Sequence, residues 1–161
     1  MLQTHGIAPI YDENSRILIL GSFPSVRSRE VGFYYGHPQN RFWRTLAEVL
    51  EAPVAETTDE KRRFLLAHRI ALWDVIASCE ITGSADSTIR NAYPNDPTEI
   101  LRIAPIWAIY TNGQTAHRLY RRYLEPQIGR TAICLPSTSP ANAAWTQPKL
   151  TQAWRIIREG E

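Results

Sequence analysis

Lysine is almost missing from this chain. Lys61 and Lys149 are its only two, so its basic character rests on arginine. A lysine nucleophile for Schiff-base chemistry therefore has few places to stand, while arginine suits bidentate phosphate contacts. Cysteine is equally scarce. Cys79 and Cys134 form no CxxC pair and cannot supply the four thiolates of an iron–sulfur cluster. The four histidines, at 5, 37, 68 and 117, are scattered, so no metal, no cofactor and no disulfide is expected. No apolar run approaches the about 20 residues of a membrane span, and no membrane partner is expected. The stretch Met1 to Arg16 lacks a basic region followed by an apolar one, which reads against a secretory signal and for a cytoplasmic protein. A P-loop and a cluster of acidic metal ligands are also missing, which disfavours a nucleotide-hydrolysing metabolic enzyme.

What is present is an ordinary globular composition over 161 residues, with a formal net charge of +2. One domain, residues 1–161, with a full hydrophobic core is the expectation. Ile17 to Leu20 is a continuous apolar run ending in Gly21, the pattern of a strand buried on both faces. Further strands are expected over Ile70 to Ile76, Ile106 to Tyr110 and Thr131 to Leu135. Between them, helical spacing predicts helices over Arg41 to Ala52, from a capping box at Thr57–Glu60 to His68, from Asp96–Glu99 onward, over Gln114 to Leu124 and over Leu150 to Arg158. Cys79 to Pro97 reads as a long polar loop. The run RLYRRY, Arg118 to Tyr123, mixes rings with positive charge, and its Arg121 and Arg122 read as a solvated helix face. Strands alternating with helices imply an α/β fold: a three-layer α/β/α arrangement around a central, mainly parallel four-stranded sheet.

In such a sheet, ligands bind at the carboxyl ends of the strands. The first strand ends in Gly21-Ser22-Phe23-Pro24-Ser25 and runs into GFYYGHPQNRFW, Gly32 to Trp43, a stretch dense in rings and side-chain amides. The third ends in Thr111-Asn112-Gly113, and the fourth in PSTSPAN, Pro136 to Asn142. Rings for stacking, amides for base edges, and hydroxyls with backbone N–H groups for phosphate oxygens make a nucleotide site. Phe42, Trp43, Trp73 and Trp107 are expected in the core.

Gly32-Phe33, His37-Pro38 and Asn40 to Trp43 resemble the first active-site loop of the mismatch-specific uracil/thymine-DNA glycosylases. LPSTSPAN, Leu135 to Asn142, resembles the second motif of the uracil-DNA glycosylase superfamily, the loop that grips the DNA backbone. With ALWDVIASCEITGSADS and YTNG added, the pattern is most similar to the hypoxanthine-DNA (DNA-deoxyinosine) glycosylase family, over Arg16 to Arg158. Two positions depart from the superfamily. Phe23 stands where an Asp or Asn usually positions the attacking water, and Leu135 stands where the second motif usually begins with His or Asn. In the hypoxanthine family the water-positioning role falls to the Asn of the QNRFW segment, here Asn40.

The resemblance implies a monofunctional glycosylase acting in base excision repair on DNA that contains a deaminated base. Hypoxanthine is the first choice, with uracil or xanthine as companions, and the protein is expected to be a monomer. Asn40 is the expected catalytic residue. Phe23, Tyr35, Asn112 and His37 are the expected base-binding residues, His37 being more readily a loop-fixing group than an acid. Ser25, Arg41, Ser137, Thr138, Ser139, Pro140, Asn142 and Lys149 are the expected DNA-binding set. Two alternatives stay open: a uracil-DNA glycosylase, and a catalytically inactive DNA-binding module on the same fold, which Phe23 and Leu135 would explain.

Overall fold

The computed structural model describes residues 2–4 and 6–160, with side chains through Arg158; His5 lies outside the described residues. In chain order the elements are β1 (Leu2–Thr4), β2 (Ile17–Gly21), α1 (Val26–Val31), α2 (Phe42–Leu50), α3 (Thr58–Ala67), β3 (Ile70–Asp74), β4 (Ile76–Glu80), β5 (Arg90–Pro94), α4 (Thr98–Ile103), β6 (Ala108–Asn112), α5 (Gln114–Tyr123), α6 (Glu125–Ile128), β7 (Ile133–Leu135) and α7 (Gln147–Trp154). Short 3-10 turns cover Asp86–Thr88 and Arg155–Gly160.

The central sheet has the order β3-β2-β6-β7, parallel throughout. β2 is central and buried along its whole length, which is why it is apolar at every position up to Gly21. Its side chains divide between two cores. Ile17 and Ile19 pack with Phe42, Leu46 and Val49 of α2 and with Leu150 and Trp154 of α7. Leu18 and Leu20 pack with Ile100 of α4 and with Leu119 and Tyr120 of α5. The expected three-layer arrangement is thus present. The register pairs Gly21 with Asp74, Leu20 with Thr111, and Asn112 with Leu135, so all the strands end along one edge.

A second sheet was not legible in the sequence. β1, β4 and β5 form an antiparallel sheet in the order β1-β4-β5, across the segment read as a long loop from Cys79 to Pro97. Of β4, Ile76 and Cys79 are buried while Ala77, Ser78 and Glu80 are not, and β5 is mostly exposed. A sheet wet on one face needs no apolar run, and register shifts between β4 and β5 blur its alternation further. α1 was missed too. It is a single short helix capped by Ser25, whose hydroxyl accepts from Ser28 N at 3.1 Å, and ended by Gly32 at φ +72°. The last helix starts before Leu150, because Thr146 caps it at Gln147. Trp107, expected in the core, is 51% exposed. No described helix is long and apolar enough to cross a membrane.

Candidate active site

A cavity of about 290 Å³ opens at the carboxyl edge of the central sheet, near the lower end of the about 300–1,000 Å³ usual for small-molecule sites. The loop after β2 builds one wall. Phe33, Tyr34, Phe42 and Trp43 are buried in the core. The Tyr34 hydroxyl donates to Ala8 O at 2.9 Å, and Trp43 Nε1 donates to Tyr34 O at 3.2 Å. Most rings of this segment therefore serve as foundations. Tyr35 stands apart from them. Its backbone is left-handed at φ +51°, an uncommon state for a bulky residue. One face of its ring stacks on Phe42, with centroids 4.0 Å apart and planes at 19°, and the residue lines the cavity. The Tyr35 hydroxyl is buried with no hydrogen-bond partner.

Asn40 also lines the cavity. Its Oδ1 accepts from Phe42 N at 2.9 Å, and its own N–H donates to His37 O at 3.0 Å. The amide is thereby fixed in place, with a second lone pair on Oδ1 and both Nδ2 hydrogens still available. His37 Nδ1 accepts from Gln39 N at 3.1 Å, so this imidazole braces the loop through that nitrogen. Phe23 is buried, with the Arg29 guanidinium 5.2 Å from its ring centroid, and it forms the wall beside Ser25.

The loop after β7 forms the opposite wall, and its polar groups turn inward. Thr138, expected at phosphate, is fully buried. Its N–H donates to Asn112 Oδ1 and its hydroxyl accepts from Asn112 Nδ2, both at 3.0 Å. Asn112, expected to meet the base, lines the cavity and also uses both ends of its amide to hold this loop. Arg41, expected at phosphate, holds the loop from the other side. Its guanidinium donates to Trp145 O at 2.6 Å and to Asn142 O at 3.3 Å, and its N–H donates to Thr138 O at 3.1 Å. A forked guanidinium supplies several donors at once. Asn142 Nδ2 donates to Ser137 O at 3.0 Å, so its side chain staples the turn. Ser137 Oγ and Ser139 Oγ accept from Ser139 N and Ala141 N, and both serines line the cavity with Pro140. A side chain at Gly113 would place its Cβ 3.0 Å from Ser137 Cβ, so glycine lets the two turns approach. Lys149 is exposed on the first turn of α7 and does not line the cavity. A wider groove of about 920 Å³ continues from the cavity past Asn112, Ser137 and Ser139 to the exposed Trp145.

Two acids at the cavity were not singled out from the sequence. Asp74 ends β3 beside Gly21. A side chain on Gly21 would meet Asp74 Oδ1 at 2.5 Å and the Tyr35 hydroxyl at 2.7 Å, so the missing Cβ makes room for both oxygens. Burial, and then the charge of Asp86, push the Asp74 carboxyl up to about 8. Burial also raises Asp86, whose Oδ1 accepts from the Ser22 hydroxyl at 2.9 Å. Burial and then Asp74 raise both Tyr34 and Tyr35 above the usual phenol range. An acid inside the apolar run Ile70 to Ile76, at the carboxyl end of a strand, was the available signal.

Residues 8–158 match the family described as the uracil DNA glycosylase superfamily. The chain belongs to that superfamily. Among its relatives is a protein named hypoxanthine DNA glycosylase from Methanosarcina acetivorans, 34% identical over 154 residues, spanning 94% of this chain and 96% of the relative. Another of the same name, from Methanosarcina barkeri, is 33% identical over 143 residues, covering 88% and 89%. A solution NMR structure of a Methanosarcina acetivorans protein, described as a candidate uracil DNA glycosylase, superposes with a TM-score of 0.80. It is 32% identical, with 98% and 99% of the two chains covered. As a member of this superfamily the chain keeps its cavity where the parallel strands end, between the two loops whose sequences carry the resemblance.

Proposed function

We propose that the protein is a monofunctional DNA glycosylase that flips a deaminated base out of DNA and hydrolyses its N-glycosidic bond, with hypoxanthine as the preferred base. The observation that carries this reading is the pairing of Tyr35, backed by Phe42, with the fixed amide of Asn40 in a cavity of about 290 Å³. A target atom inside a duplex is out of reach, so the base must leave the stack, at a cost of a few kcal/mol. Stacking on an aromatic face returns about 1–3 kcal/mol per base. Phe42 covers one face of Tyr35, so a flipped base would stack on the side of the ring that lines the cavity. The names of the Methanosarcina relatives support the choice of hypoxanthine.

Breaking the bond leaves an oxocarbenium-like sugar. That cation needs a water in the right place more than a strong nucleophile. Asn40 cannot take a proton as a carboxylate does, but its pinned oxygen can hold the water by hydrogen bonding. Phe23 is a wall of the pocket and Leu135 a core residue, so neither competes for that role. All of these groups come from one chain, which supports a monomer as the working unit.

Labelled oligonucleotides carrying one deoxyinosine, deoxyuridine or deoxyxanthosine, single- and double-stranded, test this after incubation and alkaline cleavage of abasic sites. Cutting at deoxyinosine that is lost in Asn40→Ala is the expected result. Cutting chiefly at deoxyuridine moves the substrate and keeps the mechanism. No cutting with DNA binding intact makes the protein a binding module and overturns the proposal.

A further inference from the structure

A nucleotide seated in the cavity is joined to neighbours on both sides, and the strand that carries them has to leave across the surface. One way out is continuous. The groove beside the cavity shares Asn112, Ser137 and Ser139 with it. Further on, the groove shares Gln114 and Cys134 with a shallow recess of about 430 Å³. Groove and recess both border β7, an edge strand of the central sheet.

The recess belongs to the run RLYRRY. α5 buries Ala116, Leu119 and Tyr120. The helical period then turns Gln114, Arg118, Arg121 and Arg122 to the other side, where all four are exposed and line the recess. The three guanidinium groups stand on about 6 Å of helix rise. Like charges three and four residues apart repel one another, and other helices of this chain relieve their arginines. Arg27, Arg44, Arg62 and Arg102 meet Glu30, Glu48, Asp59 and Glu99 of their own helices, at 3.0 to 3.9 Å. α5 holds no acid at all. Glu125 lines the recess from α6, yet among the described residues Arg118, Arg121 and Arg122 form no ion pair. The Arg122 guanidinium rests 5.1 Å from the centroid of the Tyr123 ring. Arg118 is felt at Asp86, which lines both cavity and groove. The basic face thus begins beside the site and leads away from it.

We propose that Arg118, Arg121 and Arg122 bind the phosphates of the strand on one side of the flipped nucleotide, which reaches them through the groove. This rests on the reading that the protein acts on DNA, and adds a grip outside the two motif loops. A guanidinium fork matches phosphate oxygens. The rise of about 6 Å spans about two phosphates, at about 3.4 Å of axis each. Phosphates in that place also relieve the repulsion that the bare helix carries. Such contacts read no sequence; they fix the direction in which the strand crosses the cavity. An acidic protein segment matches the charge as well, but continuity with the cavity favours the strand.

The test is the salt dependence of binding to a duplex carrying 2′-fluoro-deoxyinosine, whose fluorine destabilises the oxocarbenium and blocks cutting. Each phosphate contact contributes about 0.9 to the slope of log affinity against log salt. Arg118→Gln/Arg121→Gln/Arg122→Gln should lower that slope by about two to three and weaken binding on the order of tenfold at low salt. Its single-turnover excision of deoxyinosine at saturating protein should stay within about twofold of the parent's. Arg121→Gln alone should lower the slope by about one, and serves if the triple variant does not fold. Arg62→Gln/Arg63→Gln, which removes charge from α3, should leave the slope unchanged. An unchanged slope in the α5 variants, or an equal fall per charge in the α3 variant, overturns the proposal. Duplexes shortened to a few base pairs on one side of the modified nucleotide or the other then locate the contact. The difference between parent and triple variant should vanish on shortening one side and persist on shortening the other. Equal behaviour on both sides means diffuse attraction and overturns the proposal. So does an unchanged slope with binding of a polyglutamate peptide that the triple variant loses, which assigns the face to an acidic protein. Failure of the parent to cut deoxyinosine, with the α5 effect present, overturns the glycosylase reading alone.

Discussion

The loop after β2 is held from beneath by rings, and the loop after β7 is held from its flanks by polar clamps. Phe33, Tyr34, Phe42 and Trp43 sink into the core under the first loop, so its shape is tied to the stability of the whole domain. The second loop has Thr138 as its buried anchor, gripped by Asn112 on one side and by Arg41 on the other. Burial is non-directional and cooperative, whereas a clamp is directional and local. Damage to the first loop should therefore be read in folding, and damage to the second in the placement of substrate.

The largest effect should come from Phe42→Ala. The ring is fully buried, is edge-on to Trp43 and Trp154, and carries Tyr35 on its face. Truncating a buried phenylalanine costs about 3–5 kcal/mol, so the urea midpoint should fall steeply and excision should fall with the folded fraction. Retained stability with lost excision would mean that the ring belongs to the pocket and not to the foundation.

Asn112→Ala should cost less in stability and more in activity per folded molecule. It strands the Thr138 N–H and hydroxyl in a buried place, at about 1–3 kcal/mol. A loop displaced by about an ångström can cost on the order of a hundredfold in rate. Arg41→Ala removes donors to Trp145 O and Asn142 O from a partly exposed site. It should cost about 1–2 kcal/mol and weaken DNA binding through the freed turn. Comparing single-turnover rates with unfolding curves decides the matter. If either variant loses stability and activity in proportion, the contrast between the loops fails.

Much of this design was legible because of burial. β2 needed apolar residues on both faces, and its run Ile17 to Leu20 announced a central strand. The motif loops announced themselves by residue types that a core does not require. What did not carry was the direction of a side chain. Nothing in PSTSPAN says that Thr138 points inward while Ser137 and Ser139 line a cavity, since that depends on Asn112 arriving from β6. Arg41 could not be told from a phosphate ligand without the carbonyls of residues 142 and 145 beside it. Asp74 was hidden by the opposite effect: it lay within an apolar run and was counted with it, while the Gly21 that makes room for it lies on a different strand.

Between the two loops, the cavity floor is held at a cost that pH reveals. Burial, and then the charge of Asp86, push the Asp74 carboxyl up to about 8 in the folded chain, against about 4 when unfolded. A raised acid adds stability in full below the unfolded value and loses it as pH rises through the folded one. The parent's Tm should therefore decline from pH 5 to pH 8.5, and Asp86, also raised, acts in the same sense. Asp74→Asn should show a shallower decline and melt at least about 2–4 °C higher than the parent at pH 8.5, the shift expected for about 1 kcal/mol in a domain of this size. Parallel curves would mean that the floor is not strained by its acid and that both loops meet over a neutral surface.

The smallest effect should be that of Lys149→Ala. Lys149 stands on the first turn of α7, beyond the second loop, and its backbone N–H donates to the Thr146 cap while its side chain is exposed. Removal of an exposed side chain here should leave stability within about 0.5 kcal/mol. Its effect on DNA binding is sharper as a test, because each phosphate contact contributes about one to the slope of log affinity against log salt. The cavity and the groove beside it run from Asn40 past Ser139 to Trp145 and do not include Lys149. If DNA follows that path, the slope for Lys149→Ala should match the parent's. A slope lower by about one would carry the strand across the start of α7, and would extend the grip of the second loop beyond the turn that Arg41 and Asn112 hold.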